Sequence, residues 1–231
     1  MMISLKMSGD PTGKTKISDS RNPLRIHGFV GLVLGVACSA LGTALMRHGD
    51  YGLSSFYAVS LALYRASGIL TMGAWNTIYQ VVLILLLMVC LRRVRWGYFA
   101  SFAVVVVSSA LIDQFSAVTG RLPYLPWVRA ACYLSGLLIL SAGISLLATC
   151  KLPVMPINLF VRELAEAKHW PFGRFKLCFD FACLTFSTAV GLLFTGSTPG
   201  VGWGTLISVL TVGPLTNVLI SVQERFVEFV V

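Results

Sequence analysis

Long apolar runs separated by short polar stretches dominate the chain after residue 25. Six of these runs are long enough to cross the roughly 30 Å of hydrocarbon in a bilayer, which takes about 20 helical residues. The pattern therefore predicts an all-α membrane protein with six transmembrane helices. The predicted spans are residues 26–46, 73–91, 97–118, 127–150, 172–195 and 201–222.

Composition supports this prediction and excludes an ordinary soluble domain. Hydrophobic residues make up 56% of the 231 residues, charged residues only 12%, and the mean hydropathy is +0.82. An average soluble domain carries about 25% charged residues. The lipid bilayer is therefore the expected surrounding of most of the chain.

The positions of the 18 lysines and arginines predict the orientation of the chain. With a cytoplasmic N-terminus, the outer side holds only Arg47, Arg65, Arg121 and Arg129, and the other basic residues lie inside. This bias follows the positive-inside rule, so we expect a multi-pass protein of the cell inner membrane with both termini in the cytoplasm. The net charge of +9 does not indicate nucleic-acid binding, because no basic stripe with interleaved aromatic residues is present.

Two halves of the sequence resemble each other. The stretch "SGILTMGAWNTIYQ" (67–80) aligns with "AKHWPFGRFKLCFD" (167–180), and "GLVLGVACSALGTAL" from Gly31 aligns with "GLLILSAGISLLATC" from Gly136. Each half contains three spans, and an odd number forces the second half into the membrane from the opposite side. The sequence thus predicts two inverted-topology repeats, an architecture common in secondary transporters. The predicted organisation is a flexible cytoplasmic tail (1–25), the first repeat (26–118), the second repeat (127–222) and a cytoplasmic C-terminus (223–231).

Each half also has a short segment between its first and second spans. The segment "MPINLFVRELAEAKHW" places apolar residues on one helical face and Arg162, Glu163 and Glu166 on the other. In the first half "LSSFYAVSLALYRASG" begins with Ser54 or Ser55 as a helix cap. Both segments are too short to span, and they fit either an interfacial helix or a re-entrant half-helix whose N-terminus faces a cavity.

Ionisable groups inside the membrane are the main functional candidates, because their insertion costs about 2.5–3.5 kcal/mol each. Asp180 follows Lys176 by four residues, which places the two side chains on one helical face where they can pair. Cys183, Ser187 and Gly191 continue that face. The inverted symmetry predicts one polar cluster towards each side of the membrane, with Gln80 and Asp113 outside and Asp180, Lys176 and Asn217 inside.

The sixth span contains Gly213 and Pro214, which predict a kink that either lines a site or only shapes the helix. The candidate substrate-binding residues are therefore Asp180, Lys176, Asp113, Gln80, Asn217, Gly213 and Pro214. The alternative is a pair of structural hydrogen-bonded networks that hold the helices in register.

Several stretches resemble the YczE/YitT-like family of bacterial integral membrane proteins. The most specific part is "GRFKLCFDFACL" followed by "GVGWGTLISVLTVGPLTNVL", with "MGAWNTIYQ" as the counterpart in the first half. The short segment of the first half, "GLSSF", lacks the proline that relatives tend to have there. The resemblance implies an inner-membrane protein and brings no substrate or reaction.

Other classes of site are not indicated. The three histidines and six cysteines have no metal-ligand spacing, no catalytic triad or paired carboxylates are recognisable, and "STPGVGWGT" lacks the strand and lysine of a phosphate-binding loop. We therefore expect no enzyme activity, cofactor or metal.

The leading hypothesis from the sequence is a protein that binds or transports a small molecule or ion at the interface of the two repeats, alone or as a subunit of a larger transporter. The alternative is a non-transporting accessory, scaffold or regulatory protein whose basic surface, with Arg92, Arg93, Arg95 and residues 151–176, docks anionic lipid or an acidic partner. Small residues at Gly31, Gly35 and Ser39 fit either a homodimer contact or packing within the molecule.

Overall fold

The computed structural model describes residues 24–92, 96–150, 156–170, 172–198 and 200–230, and these residues form eight helices and two short strands. The basic residues Arg93, Arg95 and Lys151 and the tail up to residue 23 lie outside the described residues. In chain order the elements are β1 (Leu24–His27), α1 (Gly28–Gly49), α2 (Ser55–Ser67), α3 (Met72–Leu91), α4 (Trp96–Thr119), α5 (Pro126–Thr149), α6 (Pro156–Ala167), α7 (Phe172–Thr195), α8 (Trp203–Phe226) and β2 (Val227–Val230).

The six predicted spans correspond to α1, α3, α4, α5, α7 and α8, which are long and apolar enough to cross a membrane. Their outward faces carry large apolar side chains, such as Leu193 and Trp203, which are 80% and 83% exposed. Such a surface suits hydrocarbon and not water. The prediction of six spans is confirmed, and the chain is a multi-pass integral membrane protein.

Both ends of the described chain lie on the same side of the bundle. The strand β1 pairs in parallel with β2, with Leu24 opposite Val227 and His27 opposite Val230. The sequence had not predicted these strands, and residues 24 and 25 had been assigned to the flexible tail. We call this end of the bundle the terminal face, and the opposite end, which holds residues 50–54 and 120–125, the loop face.

The first helices of the two halves form the centre of the bundle. Gly35 of α1 lies against Leu147 of α5, and Gly42 lies against Gly136 and Leu140, so the two helices are antiparallel. Because these positions are glycines, the backbones approach closely, as small residues allow in membrane helices. Gly35 and Ser39 are therefore buried against α5 inside the molecule.

The two short helices have different surroundings. The first half of α2 is buried, from Ser55 to Ala62, where it packs against α3 and α7. The helix α6 is amphipathic, and it packs with Ile157, Phe160 and Val161 against α3, α4 and α7.

One residue of α6 contradicts the predicted polar face. Glu163 is only 8% exposed, whereas Arg162 and Glu166 are exposed as predicted. The Tyr98 hydroxyl of α4 donates a hydrogen bond of 2.6 Å to the Glu163 carboxylate. The sequence places Glu163 on the polar face, and its contact with Tyr98 joins two helices, so helical periodicity cannot show it.

The last two helices of each half are arranged differently. In the first half α3 and α4 pack along each other, and a methyl group at Gly73 of α3 would overlap the Ser109 carbonyl oxygen of α4. In the second half α8 packs along α5, and among the described residues it has almost no contact with α7. The second half is therefore more open between its last two helices.

Candidate functional site

Asp180 lies on α7 at the ninth position of the helix, about 12 Å from its terminal-face end at 1.5 Å per residue. It is only 7% exposed, although most of α7 around it is apolar. The Lys176 ammonium lies 3.1 Å from one carboxylate oxygen of Asp180, and the side chain of Lys176 is 35% exposed. The ion pair predicted from the i,i+4 spacing is therefore present, and Lys176 reaches from the buried carboxylate towards the terminal face.

A residue from the other half of the chain completes the environment of this carboxylate. The Ser55 hydroxyl donates a buried hydrogen bond of 2.6 Å to Asp180. Ser55 is the first residue of α2, so Asp180 lies at the N-terminus of that helix, where the helix dipole favours a negative charge. The sequence had suggested Ser55 only as a helix cap, because nothing local shows that α2 meets α7.

The face of α7 beyond Asp180 is buried against α2 and α3. Cys183, Ser187 and Gly191, which continue the face of Asp180, are all buried. The Ser187 hydroxyl donates to the Ala58 carbonyl oxygen of α2 at 2.9 Å. The Cys183 sulfur lies 3.2 Å from the Tyr79 hydroxyl of α3. The polar face of α7 thus holds α2 and α3 through side-chain contacts.

A second polar cluster joins α2, α3 and α4. Asn76 is fully buried and donates to the Ser109 hydroxyl at 2.9 Å, while its side-chain oxygen accepts from Gln80 at 3.2 Å and from Ser60 at 3.4 Å. The Gln80 side-chain oxygen is buried and has no hydrogen-bond partner among the described residues. Asn76, which the sequence analysis did not select, is the centre of this cluster.

Asp113 of α4 contacts the start of α3. Its carboxylate accepts hydrogen bonds from the Thr71 hydroxyl at 2.6 Å and from the Gly73 backbone at 2.9 Å. Thr71 is the N-cap of α3 and also accepts from the Ala74 backbone at 3.1 Å. Asp113 therefore binds the N-terminus of α3 near the loop face. No hydrogen bond between the described atoms joins it directly to Gln80.

We expect the substitution Thr71→Val to lower the free energy of unfolding by about 1–2 kcal/mol, because it removes both the helix cap and the bond to Asp113. The measurement is unfolding of the purified protein in mixed detergent micelles. The control is Thr185→Val, since the exposed Thr185 hydroxyl bonds only to the Phe181 carbonyl oxygen of its own helix. Equal losses in the two variants would contradict this role of Thr71.

The structure separates three of the predicted site residues from the others. Gly213, Pro214 and Asn217 are exposed on α8, and a methyl group at Gly213 would have open space around it. The helix α8 instead turns Ser208 towards Leu53, which precedes α2, and Gln223 towards α5. Periodicity along α8 could not show which of its faces is inside, because all faces of a membrane helix are largely apolar.

A cluster of charged and aromatic residues near the loop face was not predicted. Arg129 binds the Asp50 carboxylate at 3.2 Å and the Gly49 carbonyl oxygen at 3.1 Å, and its guanidinium lies over the rings of Tyr51 and Tyr124. The Tyr124 hydroxyl also donates to Asp50 at 3.2 Å. Partial burial, together with the Asp50 carboxylate, raises the pKa of Tyr124, so this hydroxyl stays a donor. The spacing of these residues along the chain contains no signal of the cluster.

One family model, described as "Family of unknown function (DUF6198)", matches residues 26–221. Comparison with curated proteins and with solved structures gives no match. The resemblance to YczE/YitT-like proteins stays a prediction.

Proposed function

We propose that this chain, which belongs to the DUF6198 family, is an inner-membrane protein that binds and moves a small solute between two inverted repeats. The observation that carries the proposal is the buried carboxylate of Asp180, which belongs to the second half of the chain and lies at the N-terminus of the short helix α2 from the first half. Sites between repeats, at the ends of short helices, are typical of secondary transporters.

The packing of the helices supports the inverted repeat. In the proposed symmetry α1, α2, α3 and α4 correspond to α5, α6, α7 and α8. The contact of α2 with α7 then corresponds to that of α6 with α3, and the contact of α1 with α4 corresponds to that of α5 with α8. All four contacts occur, and α1 and α5 cross antiparallel at the centre, as a symmetry axis in the membrane plane requires.

We infer that α2 is a re-entrant half-helix. It follows the loop-face residues 50–54, its N-terminus reaches Asp180 deep in the bundle, and its C-terminus returns towards α3, which starts at the loop face. Burial from Ser55 to Ala62 satisfies the rule that backbone ends within the membrane must be enclosed by protein.

The contacts of Asp180 suggest how solute binding would be coupled to a movement of the two halves. Lys176 and Ser55 hold the carboxylate in a neutral ion pair at the positive end of α2. A solute that competes for any of these three groups changes the contact between the two halves, because Ser55 and Asp180 come from different halves. Binding is thereby linked to a movement of one half against the other, which is what alternating access needs.

The unequal packing of the two halves fits such a movement. The α3 and α4 helices are joined by the bonds of Asp113 and Asn76, whereas α7 and α8 are nearly separate in the described structure. We infer that the two halves are in different states, as the closed and open sides of an alternating-access protein would be.

Thermal unfolding of the detergent-purified protein against a library of metabolites and ions tests the proposal. A ligand at about 100 times its Kd should stabilise the protein by about 2.7 kcal/mol. We expect at least one such shift in the wild type, and we expect Asp180→Asn to abolish it. The matched control is Glu166→Gln, since the Glu166 side chain is 71% exposed on α6 and outside the site.

Two outcomes would contradict the proposal. If every ligand-induced shift survives in Asp180→Asn, the ligands bind elsewhere. If no ligand of the library shifts the unfolding of the folded protein, the result would favour the accessory or scaffold function. Asp180 would then only stabilise the packing of the helices. Partner capture from the native membrane would then be the next measurement.

A further inference from the structure

A cavity of about 400 Å³ opens at the loop face, next to the charged cluster. Gly52 and Gly200 form part of its wall, and both have positive φ angles that suit glycine. The Leu53 backbone donates a hydrogen bond of 2.9 Å to the Gly200 carbonyl oxygen, so the segment that carries Gly52 and the segment that carries Gly200 are bonded to each other. The polar residues that line the cavity are Asp50, Tyr51, Arg65, Ser197 and Thr198.

The two charged side chains that line the cavity, Asp50 and Arg65, differ in whether they are bonded to other residues. Arg129 and the Tyr124 hydroxyl already occupy one oxygen of the Asp50 carboxylate. Arg65 lies in the cavity wall, and its guanidinium has no ion pair or hydrogen bond with any described residue. Arg47, over the Tyr64 ring, adds a further positive charge to this end of α1 and α2. The cavity wall therefore holds one guanidinium with no bonded partner among the described residues, and Arg129 and Arg47 add positive charge near this end of the bundle.

We propose that this cavity binds the oxyanion group, a carboxylate or a phosphate, of a small solute, with Arg65 as its main partner. Guanidinium groups bind such oxyanions through two parallel hydrogen bonds. The aromatic and backbone contacts of Arg129 hold its guanidinium beside the Asp50 carboxylate, so the negative charge of Asp50 is offset and Arg65 is left to attract an anion.

The cavity lies close to the site proposed around Asp180. The identification of the bound anion with the transported solute rests on the proposed function. Leu61 of α2 forms part of the cavity wall, and Ser55 at the start of the same helix binds Asp180. These two positions are about 9 Å apart along the helix axis. Because Asp180 and Lys176 neutralise each other, the inner site does not repel an anion that arrives from the cavity.

The experiment is a titration of the full-length protein in detergent with sodium phosphate and, separately, with sodium acetate. Ionic strength is kept constant with sodium chloride, and the unfolding temperature is the measured quantity. We expect a saturable rise with at least one of the two anions. Arg65→Gln should weaken the apparent affinity at least about tenfold, since it removes charge-assisted hydrogen bonds. Arg65 is exposed, so this variant should fold normally.

Arg121→Gln is the matched control, because Arg121 is an exposed arginine of the same face that does not line the cavity. It should leave the response unchanged. An unchanged response in Arg65→Gln, or no saturable response in the wild type, would overturn the inference. A response to phosphatidylglycerol in mixed micelles but to neither free anion would also overturn it, since the occupant would then be a membrane lipid.

Asp180→Asn separates this inference from the proposed function. We expect the variant to keep its response to the anion, because Asp180 does not line the cavity. If the anion binds through Arg65 while no library ligand depends on Asp180, the cavity is a binding site and the proposed transport is wrong. If Asp180→Asn also removes the anion response, the anion does not bind in the cavity and the inference fails.

Discussion

Gly42→Ala is expected to lower the free energy of unfolding by about 1–3 kcal/mol, the range typical of overpacked cores. A methyl group at Gly42 would lie 2.5 Å from the Leu140 nitrogen and 2.7 Å from the Gly136 carbonyl oxygen. These are backbone atoms of α5, which cannot turn away as a side chain can. The helices α1 and α5 must therefore separate, although they form the central contact of the two halves. Unfolding by SDS in mixed micelles measures the loss.

The control for this prediction is Gly213→Ala. Gly213 is also a glycine within a membrane helix, but a methyl group there would meet no atom of another helix within 4 Å. The substitution should cost clearly less than Gly42→Ala, because it separates no helices and because the better helix propensity of alanine offsets its contact with the following Pro214. If Gly42→Ala and Gly213→Ala unfold at the same SDS fraction, the close approach of α1 and α5 is not what stabilises the bundle.

Asp180→Ala is expected to destabilise the protein by about 2–3 kcal/mol, through the loss of the Ser55 hydrogen bond and of the partner of Lys176. This loss of unfolding free energy is smaller than the largest losses measured when one partner of a buried ion pair is removed. The reason is that the Lys176 side chain is 35% exposed and can extend towards the membrane surface. The double substitution of Asp180→Ala with Lys176→Met should recover part of the loss, since it no longer leaves a lone charge among apolar groups.

A double-mutant cycle over Asp180 and Lys176 measures this coupling, with unfolding in SDS micelles as the readout. The control cycle uses Arg162 and Glu166, which have the same i,i+4 spacing on α6. Their charged atoms are 3.9 Å apart, and both side chains are more than half exposed, so we expect a coupling near zero. Equal coupling in the two cycles would contradict the special environment of Asp180.

The sequence predicted more of the fold than of the site. The six spans follow from the length and apolar character of their runs, which need no tertiary information. The Lys176–Asp180 pair follows from helical spacing alone, and so does the position of Cys183 and Ser187 on the same face as Asp180. Both kinds of prediction depend only on distances within one helix.

The site residues that the sequence missed depend on contacts between helices. Ser55 reaches Asp180 across 125 residues of sequence, and Asn76 became important only because Ser60 and Ser109 surround it. Asn217 and Pro214 were selected for their chemical type, but the structure places them on the exposed side of α8. In a membrane helix the apolar pattern does not distinguish the lipid-facing side from the packed side, so chemical type alone selects too many residues.

By itself, the sequence determined that this chain is a membrane protein with six spans, two short extra helices and ionisable groups within a span. These properties are set by local hydrophobicity and helical periodicity. Only the tertiary structure decided that α2 is buried, that its N-terminus meets Asp180, and that Arg65 and Asp50 line one cavity. The reason is that such contacts join residues far apart in the chain, and close backbone packing at positions such as Gly42 determines which helix faces meet.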